Sequence, residues 1–221
     1  MRLVEGKTQR KTNGLQRHAA NFEAGMMAMD EKIVTVFGSS RPRGGDAEYE
    51  EARELGKTLA ERGFAVCTGG YGGVMEAVSR GAKEGGGKTY GVTAEFFQRE
   101  ANDWVDVEVR KKTWEERLFG LMEMGDGFVA CKGGTGTLVE LSVVWEMLNK
   151  SVMKAKPVVV LGDFWQLILE RVREVELGPG VKGSRVWGEA NGRLVHGAEG
   201  IEAAVEFLEE KLKGRGREAS R

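Results

Sequence analysis

Residues 126–150, DGFVACKGGTGTLVELSVVWEMLNK, decide the fold, because they predict a strand, a glycine-rich turn and a helix in immediate succession. We predict the strand in DGFVACK (126–132) and the helix in TLVELSVVWEMLNK (137–150). Bare backbone at the start of a helix offers unpaired N–H groups and the positive end of a dipole, which suits phosphate. Glu140, in the first turn of this predicted helix, either complements the dipole or faces a sugar attached to that phosphate.

The same alternation of apolar runs and helical patterns extends along most of the chain. It predicts an α/β, Rossmann-like parallel sheet flanked by helices on both faces. The polar stretch 95–112 interrupts the alternation, and no strand is predicted there. Strands are expected at 33–37, 64–68, 89–93, 126–132 and 156–162, with short late strands at 185–187 and 193–197 around a turn at 191–192. Helices are expected at 46–63, after Gly73, and at 113–125, 137–150, 163–176 and 198–214.

Length and charge predict one domain with flexible ends. The 221 residues fit a single domain, which we place at residues 31–213. Residues 1–30 are expected to form a flexible N-terminal extension, and residues 214–221 a disordered tail. The formal net charge of −1 argues against bulk electrostatic binding of nucleic acid or of an anionic membrane.

Cysteine and histidine usage excludes several kinds of site. The two cysteines, Cys67 and Cys131, are too few for a disulfide framework or a cysteine-rich zinc site, and we expect no metal. Both thiols end apolar strands and are expected to be buried. The two histidines, His18 and His196, give no serine–histidine or cysteine–histidine catalytic pattern. Few thiols, no evident secretory leader and no bilayer-length apolar run lead us to expect a cytoplasmic protein.

Three strand-to-helix loops contain residues suited to ligand binding. FGSSRPRGGD (37–46) combines hydroxyl groups with arginines, whereas CTGGYGGVMEA (67–77) and CKGGTGTLVE (131–140) share a Gly-Gly, spacer, Gly layout. Parallel strands place all three loops on one rim of the sheet. Neither glycine loop is a Walker A motif or a clean dinucleotide fingerprint. We interpret their shared layout as two solutions to the same steric demand, in preference to a duplicated βα unit.

Charged and aromatic residues near these loops have competing interpretations. Periodicity alone favours an exposed, ion-paired helix face for Arg117, which is the usual place for charged helix residues. Trp104 and Trp114 lie beside the polar stretch and are candidates for stacking on a base. Trp145 and Trp165 are instead expected to pack in the core or at an interface.

Taken in order, these segments resemble the Lonely Guy-type cytokinin riboside 5′-monophosphate phosphoribohydrolases, a family formerly described as lysine decarboxylases. KGGTGTLVE (132–140) is similar to the family signature P-G-G-x-G-T-x-x-E, and the resemblance runs from about Ile33 to Trp165 through VFGSSRP, TGGYGGVMEA and TWEERLFGLMEMGDGFVA. The resemblance implies a Rossmann-like fold, a homodimer or higher homo-oligomer and no cofactor. It also implies cleavage of AMP or a cytokinin-type nucleoside 5′-monophosphate into a free purine base and ribose 5-phosphate.

The resemblance further implies the site residues. Arg117 and Glu140 match the catalytic arginine and the signature glutamate of the family. A carboxylate at 140 would stabilise the positive charge that develops on the ribose and align water. Arg117 would hold phosphate or ribose oxygens, or polarise the leaving base. The residues implied to bind phosphate and ribose are Ser39, Gly70, Gly73, Gly133, Gly134, Gly136 and Thr137.

Three positions depart from the family pattern. Lys132 replaces the signature proline, Leu118 stands where many members have lysine, and Glu76 stands where glycine is usual. The GGVMEA form of the loop is similar to the molybdenum-cofactor carrier-like proteins, which bind a phosphorylated pterin. The alternative hypothesis is therefore a non-catalytic nucleotide or molybdenum-cofactor binding protein. We reject a pyridoxal-phosphate lysine decarboxylase, because no Schiff-base lysine is evident in the expected context.

Overall fold

The structure is a computed structural model, and it describes residues 31–177 and 193–214. The expected N-terminal extension (1–30), the expected strand at 185–187 and the tail beyond residue 214 lie outside the described residues. Within the described parts of the chain, no helix has the length and apolar character needed to cross a bilayer.

Strands and helices alternate throughout the described residues. The strands are β1 (Ile33–Phe37), β2 (Ala65–Thr68), β3 (Thr89–Ala94), β4 (Val107–Lys111), β5 (Gly127–Ala130), β6 (Val158–Leu161) and β7 (Val195–Ala198). The α-helices are α1 (Ala47–Glu61), α2 (Val74–Glu84), α3 (Trp114–Met124), α4 (Thr135–Asn149), α5 (Gln166–Leu177) and α6 (Ile201–Lys213). A short 3₁₀ turn, Glu95–Phe97, follows β3.

The seven strands form one parallel sheet in the order β4-β3-β2-β1-β5-β6-β7. The chain steps outward from β1 to β4 and then returns to place β5 beside β1, in a register that pairs Val34 with Gly127 and Phe37 with Ala130. The connections therefore reverse direction between β1 and β5. Sheets of this kind bind ligands outside the carboxyl ends of the strands at such a switch point.

Both faces of the sheet are covered, as predicted. Val34 and Val36 of β1 pack in a core with α1, α2 and α6. Phe37 and Phe128 point to the opposite face, where they pack with α3, α4 and α5, and their stacked ring centroids are 5.8 Å apart. Each fully buried side chain of this size contributes roughly 1.5–3 kcal/mol to folding. The two-period alternation of the strands thus builds a core on each side.

The two cysteines and two of the tryptophans lie where the sequence predicts. Cys67 and Cys131 are buried, and burial raises the pKa of each thiol to about 12. Trp145 and Trp165 are also buried, and Nε1 of Trp165 donates a hydrogen bond of 2.9 Å to the carbonyl oxygen of Cys131. The thiols are therefore protonated core groups at neutral pH.

The prediction of no strand between residues 95 and 112 is wrong, because β4 (Val107–Lys111) lies there. Among the strands of residues 31–177 and 193–214, β4 pairs with β3 alone and lies at the edge of the sheet. Its side chains are half-buried or exposed, so the strand has a polar composition that differs from the apolar central strands. The alternation of Val107 and Val109 with charged residues is the signal that was available in the sequence.

Candidate functional site

A cavity of about 1060 Å³ opens at the carboxyl edge of the sheet. Its walls combine the loops after β1 and β5, the first turns of α1 and α4, and part of α3. The volume is at the upper end of the range found for small-molecule sites. Among the described residues, no group of three or more histidine, cysteine, aspartate and glutamate side chains is arranged to hold a metal ion. The predicted site residues that line the cavity are Ser39, Arg117, Gly133, Gly134, Gly136, Thr137 and Glu140.

Arg117 of α3 is buried, and its guanidinium is fixed by two backbone carbonyl groups. Nε donates to the Val92 oxygen at 2.9 Å, and Nη2 donates to the Gly69 oxygen at 3.2 Å. The ring centroids of Tyr71 and Phe97 lie 5.5 and 5.8 Å from Cζ. Carbonyl oxygens and aromatic rings both stabilise a cation, so they hold the guanidinium in one orientation. The expectation that Arg117 lies on an exposed helix face is wrong, although the side chain does form an ion pair, with Glu140.

The start of α3 determines where Arg117 points. Thr113 precedes the helix, and its hydroxyl oxygen accepts a hydrogen bond of 3.2 Å from the Glu116 N–H. The Glu116 carboxylate in turn accepts from the Lys112 N–H at 2.9 Å. This exchange is similar to a capping box and satisfies donors that a helix start leaves unpaired. The sequence TWEE therefore sets the phase of the helix and directs Arg117 toward the cavity.

Glu140 of α4 faces Arg117. Its Oε1 lies 3.6 Å from Nη1 of Arg117, and its side chain is 15% exposed. This separation makes an ion pair but is too long for a hydrogen bond. Burial raises the pKa of Glu140 to about 7, although the Arg117 cation opposes that shift. A carboxyl group that titrates near neutral pH is suited to proton transfer.

The predicted start of α4 is late, and this changes the interpretation of Glu140. The helix begins at Thr135 instead of residue 137, and its first turn contains no acidic residue. Glu140 consequently lies in the second turn. Because the influence of the helix dipole falls off within the first turn, complementing the dipole does not explain this carboxylate.

The N-terminus of α4 presents bare backbone to the cavity. No side chain caps the helix at Gly134, and the carbonyl group of Gly134 accepts the first backbone bond of the helix at 3.0 Å. The N–H groups of the next three residues thus precede the regular bonding pattern. A Cβ atom at Gly134 or Gly136 would meet nothing within 4 Å, whereas one at Gly133 would lie 2.2 Å from Oγ1 of Thr137. Glycine at 134 and 136 therefore leaves space that the fold itself does not fill.

Gly70 and Gly73 are not among the residues that line the cavity. Gly70 has a φ of +77°, and its N–H already donates to the Thr68 hydroxyl oxygen at 3.1 Å. Gly73 has a φ of +73°, and a Cβ there would lie 2.4 Å from the carbonyl oxygen of Ser39. Both positions need glycine for a left-handed backbone and close packing. The structure thus gives both glycines a steric role. Their predicted contact with the ligand stays a prediction.

Ser39 connects the loops around the cavity. Its N–H donates to the Lys132 carbonyl oxygen at 3.3 Å, and its carbonyl oxygen accepts from the Val74 N–H at 2.8 Å. Its hydroxyl oxygen accepts from the Arg41 N–H at 3.2 Å. The loop after β1 is thereby tied to the end of β5 and to the start of α2.

Sequence reasoning missed three residues that shape the Arg117 end of the cavity: Gly69, Tyr71 and Phe97. A Cβ at Gly69 would lie 1.8 Å from Nη2 of Arg117. The hydroxyl of Tyr71 accepts from the Ala94 N–H at 2.9 Å, and this bond anchors the end of β3 that leads into the Phe97 turn. An aromatic residue between glycines was the available signal for Tyr71.

Of the two tryptophans considered for base stacking, only Trp114 lines the cavity. Trp114 and Phe97 are 39% and 37% exposed although both are large and apolar. Trp104 instead lies beneath the guanidinium of Arg80, whose Cζ is 5.4 Å from the ring centroid. Exposed aromatic side chains in a concave site are suited to contact a planar ligand.

Two of the three departures from the family pattern alter the cavity. Leu118 is buried and contributes to the wall, and Lys132 lines the mouth, where its ammonium pairs with Glu48. Glu76 lies elsewhere, and its carboxylate accepts a hydrogen bond of 3.0 Å from the Tyr49 hydroxyl. The third departure therefore adds no charge to the cavity wall.

Comparison with known proteins identifies the family. The model of the SLOG cluster4 family matches residues 31–177. An uncharacterized protein of Archaeoglobus fulgidus is 31% identical over 113 residues, covering 51% of this chain and 74% of that protein. The cytokinin riboside 5′-monophosphate phosphoribohydrolase LOG of Oryza sativa subsp. japonica is 35% identical over 136 residues, covering 59% of this chain and 54% of the rice protein. The chain thus spans about half the length of this rice relative.

A solved structure extends the comparison to the second group. The molybdenum cofactor binding protein of Rippkaea orientalis aligns with a TM-score of 0.66 and 25% identity, over 83% of this chain and 99% of that chain. Relatives thus come from both groups that the sequence resembles, which confirms the predicted resemblance and the fold. The family match covers β1 through α5 and includes all three loops of the cavity, so the chain belongs to the SLOG cluster4 family.

Proposed function

We propose that this protein hydrolyses the N-glycosidic bond of a purine nucleoside 5′-monophosphate, releasing the free base and ribose 5-phosphate. The observation that carries the proposal is the buried pair of Arg117 and Glu140, 3.6 Å apart, in a cavity that also contains the uncapped start of α4. An anion site and an ionisable carboxylate then act on one ligand. The rice relative is a cytokinin riboside 5′-monophosphate phosphoribohydrolase, and this likeness supports the same reaction class.

The phosphate of the ligand would bind at the N-terminus of α4. The helix offers unpaired N–H donors there, and the space around Gly134 and Gly136 allows a phosphate to approach the backbone. This contact lies away from the bond that breaks. It therefore supplies binding energy that orients the sugar without taking part in the chemistry.

The base would occupy the end of the cavity formed by Phe97 and Trp114. Both side chains are half-exposed and line the cavity near Arg117. Base–aromatic contacts of this kind contribute ~1–3 kcal/mol per base in nucleic-acid-binding proteins. With phosphate at one end and base at the other, the ribose lies between them and its C1′ atom comes near Glu140.

The reaction then follows from the charges of the site. As the bond from C1′ to the base nitrogen breaks, its electron pair leaves with the base and positive charge develops on the ribose. The ionised Glu140 carboxylate stabilises that charge, and it accepts a proton from the water whose oxygen bonds to C1′. The departing base takes up a proton from Arg117-oriented water or from solvent. The Val92 and Gly69 carbonyl oxygens hold the positive charge of Arg117 in place during the reaction.

A carrier of a phosphorylated pterin is the second candidate function. It is favoured by the likeness to the molybdenum cofactor binding protein of Rippkaea orientalis. The start of α4 would bind the phosphate of a pterin equally well. A carrier, however, has no evident use for a buried carboxyl group with a pKa raised to about 7. We therefore favour hydrolysis.

The test is an assay for free base. The protein is incubated with AMP and with N6-modified AMP, and released base is measured by chromatography. We expect release by the wild type, and a loss of at least about 100-fold in Glu140→Gln, which is typical when a charge-stabilising group is removed. Glu146→Gln is the matched control, since Glu146 is an exposed glutamate of the same helix. Unchanged release by Glu140→Gln excludes the role of Glu140, and binding of AMP without release favours the carrier.

A further inference from the structure

We infer that Lys132 is a phosphate-recognition residue whose ammonium exchanges its ion pair with Glu48 for the phosphoryl group of the ligand. The inference rests on the proposed function, because it assigns a further specificity-determining residue to the same cavity. Lys132 stands where the family signature has proline, so the inference concerns a position at which this chain departs from the family pattern.

The backbone of Lys132 is fixed beside the anion site. The residue immediately precedes Gly133 and the loop into α4, and its carbonyl group accepts the Ser39 N–H at 3.3 Å. Its side chain lines the cavity. The backbone that carries the ammonium is therefore fixed, and it lies within the same loop as the unpaired N–H groups at the start of α4.

The partner of Lys132 belongs to a different wall of the cavity. The ammonium pairs with the carboxylate of Glu48 in the first turn of α1, and it lies 5.9 Å from the ring centroid of Phe164. Glu48 and Phe164 also line the cavity. The ion pair consequently links the loop after β5 to the start of α1.

Breaking this ion pair costs little free energy. The side chains of Lys132 and Glu48 are 55% and 40% exposed, and pairs of such exposure stabilise a protein by only about 0–1 kcal/mol. A phosphate monoester carries up to two negative charges and offers three acceptor oxygens, against one charge on Glu48. A flexible lysine stem lets the ammonium turn toward the stronger acceptor.

The exchange model gives Glu48 a role opposite to that of Lys132. Glu48 competes with the ligand for the ammonium and adds negative charge to the wall near the phosphate. Removing the charge of Lys132 should weaken phosphate binding, whereas removing the charge of Glu48 should strengthen it. A purely structural tie between the walls predicts the same sign for both substitutions, since each breaks the same pair.

The experiment measures the affinity of the full chain for ribose 5-phosphate and for adenine by calorimetry. These two probes are the proposed products, so neither is consumed during the titration. We expect Lys132→Met to weaken ribose 5-phosphate binding about tenfold, the effect of losing ~1.4 kcal/mol. We expect Glu48→Gln to tighten it about twofold to threefold, a difference of ~0.4–0.7 kcal/mol. Adenine affinity should not change in either variant, because adenine carries no phosphate.

Lys83→Met provides the matched control. Lys83 forms a similarly exposed pair with Asp106 at 2.7 Å, and neither residue lines the cavity. This control should leave both affinities unchanged, and a thermal melt of each variant verifies folding. Shifts of the same sign in Lys132→Met and Glu48→Gln, or no shift in either, overturn the inference.

The outcome is separable from that of the proposed function. Hydrolysis is judged by release of base from AMP, whereas the inference is judged only by ribose 5-phosphate affinity. A wild-type protein that binds ribose 5-phosphate without cleaving AMP leaves the inference standing and rejects the hydrolase. A wild-type protein that cleaves AMP but gives equal affinities in all variants rejects the inference alone. Failure of the wild type to bind ribose 5-phosphate overturns it as well.

Discussion

The loops GGYGG (69–73) and GGTG (133–136) have nearly the same sequence, and both connect a strand to a helix at the cavity edge. Their glycines nevertheless answer different needs. A Cβ at Gly69 would lie 1.8 Å from Nη2 of Arg117, and one at Gly73 would lie 2.4 Å from the carbonyl oxygen of Ser39. A Cβ at Gly134 or Gly136 would meet nothing within 4 Å. The fold therefore requires glycine at positions 69 and 73 of the first loop, whereas positions 134 and 136 of the second loop leave backbone open on the cavity side.

The interpretation of both loops as solutions to one steric demand is therefore wrong. The first loop makes room for a guanidinium and for the loop after β1, so it positions groups that face the cavity. The second loop leaves donors at the start of α4 uncovered. Arg117 depends on the first loop, and Glu140 stands on the helix that the second loop opens. Substitutions in the two loops should consequently have different effects on catalysis, substrate binding and stability.

The largest effect is expected for Gly69→Ala in the first loop. The added methyl group occupies the position of Nη2 of Arg117, and the guanidinium is the group able to move. Because a misplacement of about 1 Å in a site reduces rates about 100-fold, we expect a loss of that size in the release of base from AMP. The melting temperature should fall as well, because displacing the buried guanidinium breaks its hydrogen bonds to the Val92 and Gly69 carbonyl oxygens.

Gly72→Ala is the matched control for this prediction. Gly72 belongs to the same loop, but the nearest atom to its Cβ would be a Glu76 carboxylate oxygen at 3.8 Å, an ordinary contact. Near-normal rates are therefore expected. Equal rates in Gly69→Ala and wild type would show that Arg117 tolerates displacement, and the contrast between the loops would lose its functional meaning.

A smaller effect is expected for Gly136→Ala in the second loop, where substrate binding should weaken while the stability of the protein is kept or increased. Gly136 lies inside the first turn of α4, where alanine is favoured over glycine by up to ~1 kcal/mol. We therefore expect an equal or higher melting temperature. The methyl group fills space at the anion site, so KM for AMP should rise about tenfold, or ~1.4 kcal/mol, with kcat little changed. Steady-state kinetics and thermal melts on one preparation check both parts, and an unchanged KM would place the phosphate elsewhere.

The fold was largely predictable, because alternation along the chain reports burial directly. Central strands such as β1 (Ile33–Phe37) are apolar at every position except Thr35, and this pattern located them. β4 (Val107–Lys111) has one neighbouring strand and exposed side chains, so its pattern is too polar to detect by the same signal. The start of α4 was placed late because its first residues, Thr135 and Gly136, resemble a turn in sequence.

The site was less predictable, because its geometry depends on contacts between distant segments. Resemblance to a family identified Arg117 and Glu140, and the structure brings them within 3.6 Å. Nothing in the local sequence of Gly69 indicates that a side chain 48 positions later passes beside it. The same reason explains Gly70 and Gly73, whose glycine character is local but whose neighbours are set by the fold. A motif therefore identifies residues near a site without separating those that touch the ligand from those that make room.

The smallest expected effect is on stability. It arises because Glu140, on the helix that follows the second loop, is buried where its ionised form is disfavoured. Folding raises the pKa of this carboxyl group from 4.5 to about 7, so the folded state binds its proton more tightly than the unfolded chain does. Its contribution to stability is complete below pH 4.5 and is lost as the pH rises through about 7. Glu140→Gln removes the titrating group. The attraction between Glu140 and Arg117 is already part of the net shift in pKa, so its loss in the variant needs no separate correction. The variant should therefore melt a few degrees above the wild type at alkaline pH, with the difference shrinking toward acid pH, as measured by calorimetry. If the melting temperatures of the two proteins instead differ by the same amount at every pH in this range, folding does not raise the pKa of Glu140. The ionised carboxylate on α4 would then cost the fold no stability.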